Sequence, residues 1–319
     1  MSPDEHSVAA TGEFGLIRRV TEGRGQPPST LLGPGDDAAV LAAPDGRVVV
    51  TTDVLVHGVH FRLDWSSPEQ VGRKAVAVNL SDVAAMGAKP TSVVVGLACP
   101  ADTPARVVTE IMDGMWAEAG AVGIGVSGGD LVSADQLVIS VTALGDLEDR
   151  EPVTRSGARP GDVLAVCGRL GWAAAGLAVL RRGFRSPVGV VNAQRCPEPP
   201  YQAGPQAALA GATAMMDVSD GLLADLAHLA AASEVGLDVQ TALLEVSTRL
   251  KEVGSALGAD PLQWVLTGGE DHALVATFPP FDDLPEGWRK IGVVTMPGSG
   301  VTVDGREFDQ QGGWEHWQQ

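Results

Sequence analysis

Between Ala75 and Ala88 the chain reads Ala-Val-Ala-Val-Asn-Leu-Ser-Asp-Val-Ala-Ala-Met-Gly-Ala, fourteen residues with one charge, that of Asp82. On a helix, Val76, Leu80, Val83, Ala84 and Gly87 share one face, the apolar stripe of a packed helix. The opposite face holds Val78, Asp82, Ala85 and Met86, where a solvated helix would carry Lys and Glu. Both faces are therefore expected to be covered, which sets a carboxylate in apolar surroundings. An ionised carboxylate there needs a cation or hydrogen-bond donors, or gives up its charge. Asp82 is thus either a capping or surface acid or a metal ligand. Asn79-Leu80-Ser81 matches a glycosylation sequon, a chance match within a packed helix.

Composition narrows the function classes. The 319 residues leave room for two domains, and a hydrophobic content of 45% supports a substantial core. Forty acids against 22 bases give a net charge of −18, which argues against nucleic acid or an anionic membrane as partner. The same balance makes a phosphorylated ligand awkward unless metal ions intervene. Cys99, Cys167 and Cys196 are far apart and form no CxxC pair, as expected in a reducing cytoplasm and against a thiolate zinc site. With no long apolar run and no signal-like h-region in residues 1–12, the expectation is a cytoplasmic protein without a membrane span.

Residues 1–12 read as a mobile tail and 13–20 as a short helix. Leu32 to Leu41 is a turn carrying Asp36 and Asp37 into a strand. Residues 48–52 read as a strand ending at Asp53, and 54–61 as further extended chain with His57 and His60. A helix over 68–87 follows, then strand 93–98, helix 103–119, a strand over 121–126 that stops at Ser127-Gly-Gly-Asp130, and strand 137–144. Turn residues from Arg155 to Asp162 open a new unit. It holds strand 163–167, helix 172–182, a Pro-rich loop at 195–205, strand 213–218, helices 222–233 and 247–257, strand 273–278, and strands near 290–294 and 300–303. Strands and helices mix without strict βαβ alternation, so the expected class is α/β or α+β with partly antiparallel sheets. The domains are expected at 13–150 and 151–319.

Acids recur at strand ends or beside glycine: Asp36, Asp37, Asp53, Asp82, Asp130, Asp217, Asp220, Glu270 and Asp271. Taken singly, each is an ordinary turn residue. If several converge, each pair about 4 Å apart costs roughly 4 kcal/mol at an effective dielectric near 20, so divalent cations would have to be present. Oxygen donors without Cys or paired His favour Mg²⁺ or Ca²⁺. Mg²⁺ completed by phosphate oxygens is the usual arrangement in nucleotide chemistry. No GxxxxGK[ST] occurs, and Gly123-Ile-Gly-Val-Ser-Gly128 is followed by a strand, which excludes a Rossmann site. Arg155 is either a phosphate partner or a surface arginine.

In order along the chain stand Gly35-Asp-Asp-Ala-Ala-Val, Thr51-Thr-Asp53 with His60-Phe61, and Ala77-Val-Asn-Leu-Ser-Asp-Val-Ala-Ala-Met-Gly87. Gly128-Gly-Asp130, Thr154-Arg-Ser-Gly157, Asp217-Val-Ser-Asp-Gly221 and Gly268-Gly-Glu-Asp271 follow. Together these strings resemble the thiamine-monophosphate kinases of the aminoimidazole ribonucleotide synthetase-like superfamily, from about Glu13 to Trp317. The resemblance implies a two-domain fold of that superfamily, with an N-terminal sheet domain that binds ATP and Mg²⁺ and dimerises, and a C-terminal α/β domain. It implies ATP-dependent phosphorylation of thiamine monophosphate to thiamine diphosphate by a cytoplasmic homodimer, with nucleotide bound between domains. Carried over by motif, Asp37, Thr51, Thr52, Asp53, Asp82, Asp130 and Asp217 would hold Mg²⁺ and Asp220 a further ion. Gly129, Asp130, Arg155 and Ser219 would contact ATP, and His60, Glu270 and Trp314 the thiamine phosphate. Asp53, Asp82 and Asp130 would carry the catalytic electrostatics. The sequence departs from the family in Leu131 and Val132, where hydroxyl residues are usual, and in His272, where Tyr is common. Two other readings remain at this point: another ATP-using enzyme of the superfamily, and a non-catalytic acidic binder of divalent cations.

Overall fold

The computed structural model describes residues 7–33, 39–280, 283–298 and 300–308. By its contacts the chain forms two compact units. One holds the residues up to Val83 with Lys89–Asp149, and the other holds Ala84–Ala88 with the chain from Arg150 onward.

The first unit begins with helical turn α1 (Val8–Thr11), capped by the Ser7 hydroxyl, so residues 8–11 are not the tail expected from sequence. Helix α2 (Glu13–Thr21) and the antiparallel pair β1 (Thr30–Leu32) and β2 (Val40–Leu41) follow. Then come β3 (Val49–Val56), α3 (Pro68–Ala85), β4 (Lys89–Cys99), α4 (Ala105–Ala121), β5 (Val126–Ser133) and β6 (Val138–Asp146). The last four strands named form one sheet in the order β3-β6-β4-β5, antiparallel except for the β4–β5 pair.

Three features correct the sequence reading. β3 runs through Asp53 instead of ending there, and β5 runs through Ser127-Gly-Gly-Asp130, because parallel pairing with β4 supplies the backbone partners that a Gly-Gly turn would forgo. His60 lies beyond the end of β3 on a turn, not on extended chain, while His57 forms an isolated bridge to Phe61.

Alternation along β6 buries Ile139, Val141 and Ala143, and the same face of β4 buries Val93, Val95 and Leu97. On α3, Val76, Leu80 and Val83 have no exposed surface, and Val78 and Ala85 opposite are 6% exposed, so both faces are covered as expected. Each such valine or leucine contributes about 1.5–3 kcal/mol of apolar burial. α3 crosses α4 at a pair of glycines. A Cβ on Gly72 would sit 1.8 Å from the Ile111 carbonyl oxygen, and one on Gly114 would sit 1.9 Å from that of Glu69. Only residues without side chains let the two backbones approach this closely.

The second unit contains β7 (Val163–Cys167), α5 (Trp172–Arg181), α6 (Val188–Arg195), α7 (Ala203–Leu209), β8 (Ala214–Val218), α8 (Leu222–Ser233), β9 (Gly236–Val239), α9 (Thr248–Leu257), α10 (Pro261–Thr267), β10 (Ala273–Phe278), β11 (Trp288–Thr295), β12 (Val301–Val303) and β13 (Arg306–Glu307). Its strands form a seven-stranded sheet, β13-β12-β9-β11-β7-β10-β8, antiparallel except between β12 and β9. β10 is buried along its whole length, and Phe278 meets Trp288 edge to face at 5.3 Å. The mixed, largely antiparallel α/β architecture is the class expected from sequence.

Candidate active site

In the first unit the residues of interest sort by sheet face. Register aligns Asp53, Val141, Val95 and Gly129 in one row across the four strands, and Val54, Ser140, Gly96 and Asp130 in the next. Neighbours in a row share a face and successive rows alternate. Thr51 and Asp53 therefore look toward the helices, while Thr52 and Asp130 lie on the other face.

On the helix side, α3 and β3 are laced by polar groups. The Thr51 hydroxyl donates to Asp82 Oδ2 at 2.7 Å. Asn79 Oδ1 accepts the Asp53 N–H at 2.9 Å, and Asn79 Nδ2 donates to the Ala75 carbonyl. Asn79 is fully buried, and the sequence reading had given it no role beyond the sequon. The signal available was an amide three residues from Asp82 on an otherwise apolar helix, the spacing at which side chains share a face. Asp53 and Asp82 themselves are half-buried.

On the opposite face, the Thr52 hydroxyl donates to the Val141 carbonyl at 3.0 Å and meets Thr142 Oγ1 at 3.1 Å. Asp130 is exposed and accepts the Leu131 N–H. Gly129 leaves no room for a side chain, since a Cβ there would lie 2.2 Å from the Val95 carbonyl oxygen. In the turn after β3, half-buried His60 turns its Nδ1 onto the Val56 N–H at 3.0 Å.

The second unit assembles its acids around the ends of β8 and β10. Asp217, one residue before the end of β8, is deeply buried, and its Oδ2 lies 3.0 Å from His272 Nδ1. His272 is thus spent on Asp217. Ser219 and Asp220 follow, half-buried, with the Glu270 N–H donating to the Ser219 carbonyl at 2.7 Å. Glu270 adopts a left-handed φ of 67° and approaches Gln194 Nε2 at 3.5 Å.

Asp225, which sequence reasoning passed over, takes the Asp220 and Gly221 N–H groups at 3.1 and 3.0 Å at the start of α8. Burial first, and the charge of Asp217 second, push its carboxyl up to about 7. Asp271 accepts from the Gly171 and Ala173 N–H groups, which caps α5. Burial raises it to about 7 against the opposing pull of those backbone donors. Arg155 is exposed on a turn held by Ser233, whose hydroxyl donates to the Arg155 carbonyl at 2.7 Å and accepts from Gly157 and Ala158.

Asp36, Asp37 and Trp314 lie outside the described residues. Among the described residues, no three His, Cys, Asp or Glu side chains gather closely enough to hold an ion. Each unit brings together part of the expected set: Thr51, Asp53 and Asp82 in the first, Asp217, Ser219, Asp220 and Glu270 in the second.

Comparison with known proteins shows the family of the chain. Residues 35–147 match the N-terminal domain of AIR synthase related protein, and residues 159–279 match its C-terminal domain. The thiamine-monophosphate kinase of Mycobacterium tuberculosis (strain ATCC 25618 / H37Rv) is 52% identical over 323 residues, covering 99% of this chain and 96% of that protein. Its counterpart in Corynebacterium glutamicum is 43% identical, covering 98% and 95%. A solved structure of AaThiL complexed with AMPPCP and TMP superposes with a TM-score of 0.80 at 33% identity, covering 96% of this chain and 97% of that one.

Proposed function

Because the chain belongs to the thiamine-monophosphate kinase family, we propose that it transfers the γ-phosphoryl group of ATP to thiamine monophosphate, giving thiamine diphosphate. The observation that carries this reading is kinship at 52% identity along nearly the whole chain. The described members of the expected acidic motifs also stand within β3 and β5, near the end of β8, in the loops after it and before β10, and on α3.

The donor chemistry fits a hard divalent cation. Thr51, Asp53 and Asp82 present oxygen only, whereas Cys99 and Cys167 are buried with thiols that desolvation pushes up, away from the thiolate form. We assign Asp37, Thr51, Thr52, Asp53, Asp82, Asp130 and Asp217 to Mg²⁺ and Asp220 to a further ion. When bound, Mg²⁺ neutralises charge between the two phosphate-bearing substrates.

The acceptor is a phosphate monoester, already largely ionised at neutral pH, so in-line attack on the γ-phosphorus needs no strong general base. The chain's task is to position two anionic groups and lower their repulsion. Thr51 orients Asp82, and Asn79 fixes the backbone from which Asp53 projects. Asp53, Asp82 and Asp130 act electrostatically, Gly129, Asp130, Arg155 and Ser219 receive ATP, and His60, Glu270 and Trp314 receive thiamine monophosphate.

We further propose a cytoplasmic homodimer joined through the outward sheet face of the first unit. Val50, Val54 and Val132 stand 64%, 48% and 49% exposed there, a cost that a second copy would relieve. No helix among the described residues is long and apolar enough to cross a membrane. The test of the activity is ADP release across a panel of thiamine, thiamine monophosphate and purine-pathway ribonucleotides. Release that depends on thiamine monophosphate supports the reading; release with a ribonucleotide alone, or none, overturns it.

A further inference from the structure

His60, which the kinase reading gives to the substrate, sits in a turn whose geometry depends on a lysine that this reading leaves unused. β3 ends at Val56, and the chain reverses through Gly58, whose φ of 87° suits glycine. The Val59 and His60 N–H groups donate to the Val56 carbonyl at 3.1 and 3.0 Å, and Gly58 N–H donates to the Phe61 carbonyl at 2.7 Å. The His60 ring folds back so that Nδ1 accepts the Val56 N–H. A backbone N–H can only donate, so Nδ1 carries no proton and the neutral ring holds its proton on Nε2.

The His60 carbonyl accepts from Lys74 Nζ at 3.1 Å. Lys74 is 2% exposed, in a stretch of α3 where Val71, Ala75 and Val78 are buried too. An apolar side chain of similar length could fill that volume without the desolvation an ammonium suffers. Lysine adds a charged donor that reaches the turn.

We propose that Lys74 is a positioning residue for substrate recognition. It holds the His60 carbonyl, and so fixes the turn in which Val56 N–H selects the Nε2-protonated ring, which then donates to a phosphate oxygen of thiamine monophosphate. The identity of the acceptor rests on the kinase reading; the tautomer does not.

Two measurements on the full chain test this. In histidine-¹⁵N-labelled protein at pH 8, with His60 assigned by its loss in His60→Gln, long-range NMR correlations are expected to show an Nε2-protonated ring. An Nδ1-protonated or doubly protonated ring overturns the proposal. Kinetics of Lys74→Met, His60→Gln and the double variant are then compared, varying thiamine monophosphate and ATP separately. Lys74→Met is expected to raise KM for thiamine monophosphate about 10- to 100-fold with KM for ATP little changed. The double variant is expected to be no worse than His60→Gln alone, since Lys74 acts through His60. Additive losses, or equal effects on both substrates, overturn it. If Lys74→Met does not fold, Lys74→Gln, which removes the charge and shortens the reach to the turn, takes its place in the cycle by the same criterion. Wild-type protein that never consumes thiamine monophosphate defeats the kinase reading, while the tautomer stands or falls by its own measurement.

Discussion

The acids of the two units are built differently. Asp53 and Asp82 stand half-buried between a strand and a helix, and what steadies them is a hydroxyl and an amide belonging to their neighbours. Asp225 and Asp271 are 2% and 8% exposed, and both spend their oxygens on the N–H groups of loops and helix starts. The first arrangement keeps its acids half-buried between strand and helix. The second turns carboxylates into structural acceptors, at the cost of desolvation that raises both to about 7. Acidity alone therefore does not mark a catalytic residue; what the carboxylate is already bonded to does.

The contrast is open to direct attack. The largest effect is expected for Asp82→Asn, which should keep the fold and lower turnover about 100- to 1000-fold. Near-normal turnover in the folded variant at saturating Mg²⁺ would remove Asp82 from the reacting group.

Next comes Asp271, through stability. Its carboxyl lies at about 7 in the folded chain against 3.8 for an ordinary aspartate. Between those values the folded chain keeps a proton that the unfolded chain has released, so stability falls as pH rises through this window and is level above it. Urea unfolding at pH 5 and pH 8 should show the wild type losing on the order of 2 kcal/mol more than Asp271→Asn. A constant gap between the two proteins would contradict the raised value.

Thr51→Val removes the hydroxyl that orients Asp82 and leaves the strand intact, with an expected fall of about tenfold in kcat/KM. Val54→Lys should leave the first unit folded and convert the dimer to monomers in light scattering; dimers that persist would exclude the outward face. Smallest of all, Ser233→Ala loosens the Arg155 turn, and should raise KM for ATP by a few-fold, in keeping with a lost hydrogen bond of about 1 kcal/mol.

Much of the fold was legible because local pattern and tertiary need agree. Continuous apolar runs marked Val163–Cys167 and Ala273–Phe278, both buried central strands, and alanine- and leucine-rich spacing marked Leu222–Ser233. Reading failed where long-range pairing overrides local signals. Ser127-Gly-Gly-Asp130 looks like a turn until β4 lies beside it, and α6, α7 and α10 are too short, and too rich in proline nearby, to stand out by period. The acids were found by their glycine and strand-end company. Their division between two sheet faces was not legible, since which face a strand residue takes depends on register, and register depends on partners remote in sequence. Lys74, Asn79 and Ser233 escaped for a related reason: each works by reaching backbone atoms of another segment.

The paired absence of methyl groups at Gly72 and Gly114 also bears on how this protein can change. The helix that bears Asn79 and Asp82 is spaced from its neighbour by main-chain contact, a distance no side chain can tune. Drift at either position by even one carbon would push that helix aside and carry its acid with it. Adaptation to a new substrate has therefore to come from the loops, while the ledge on which the acid stands stays where it is.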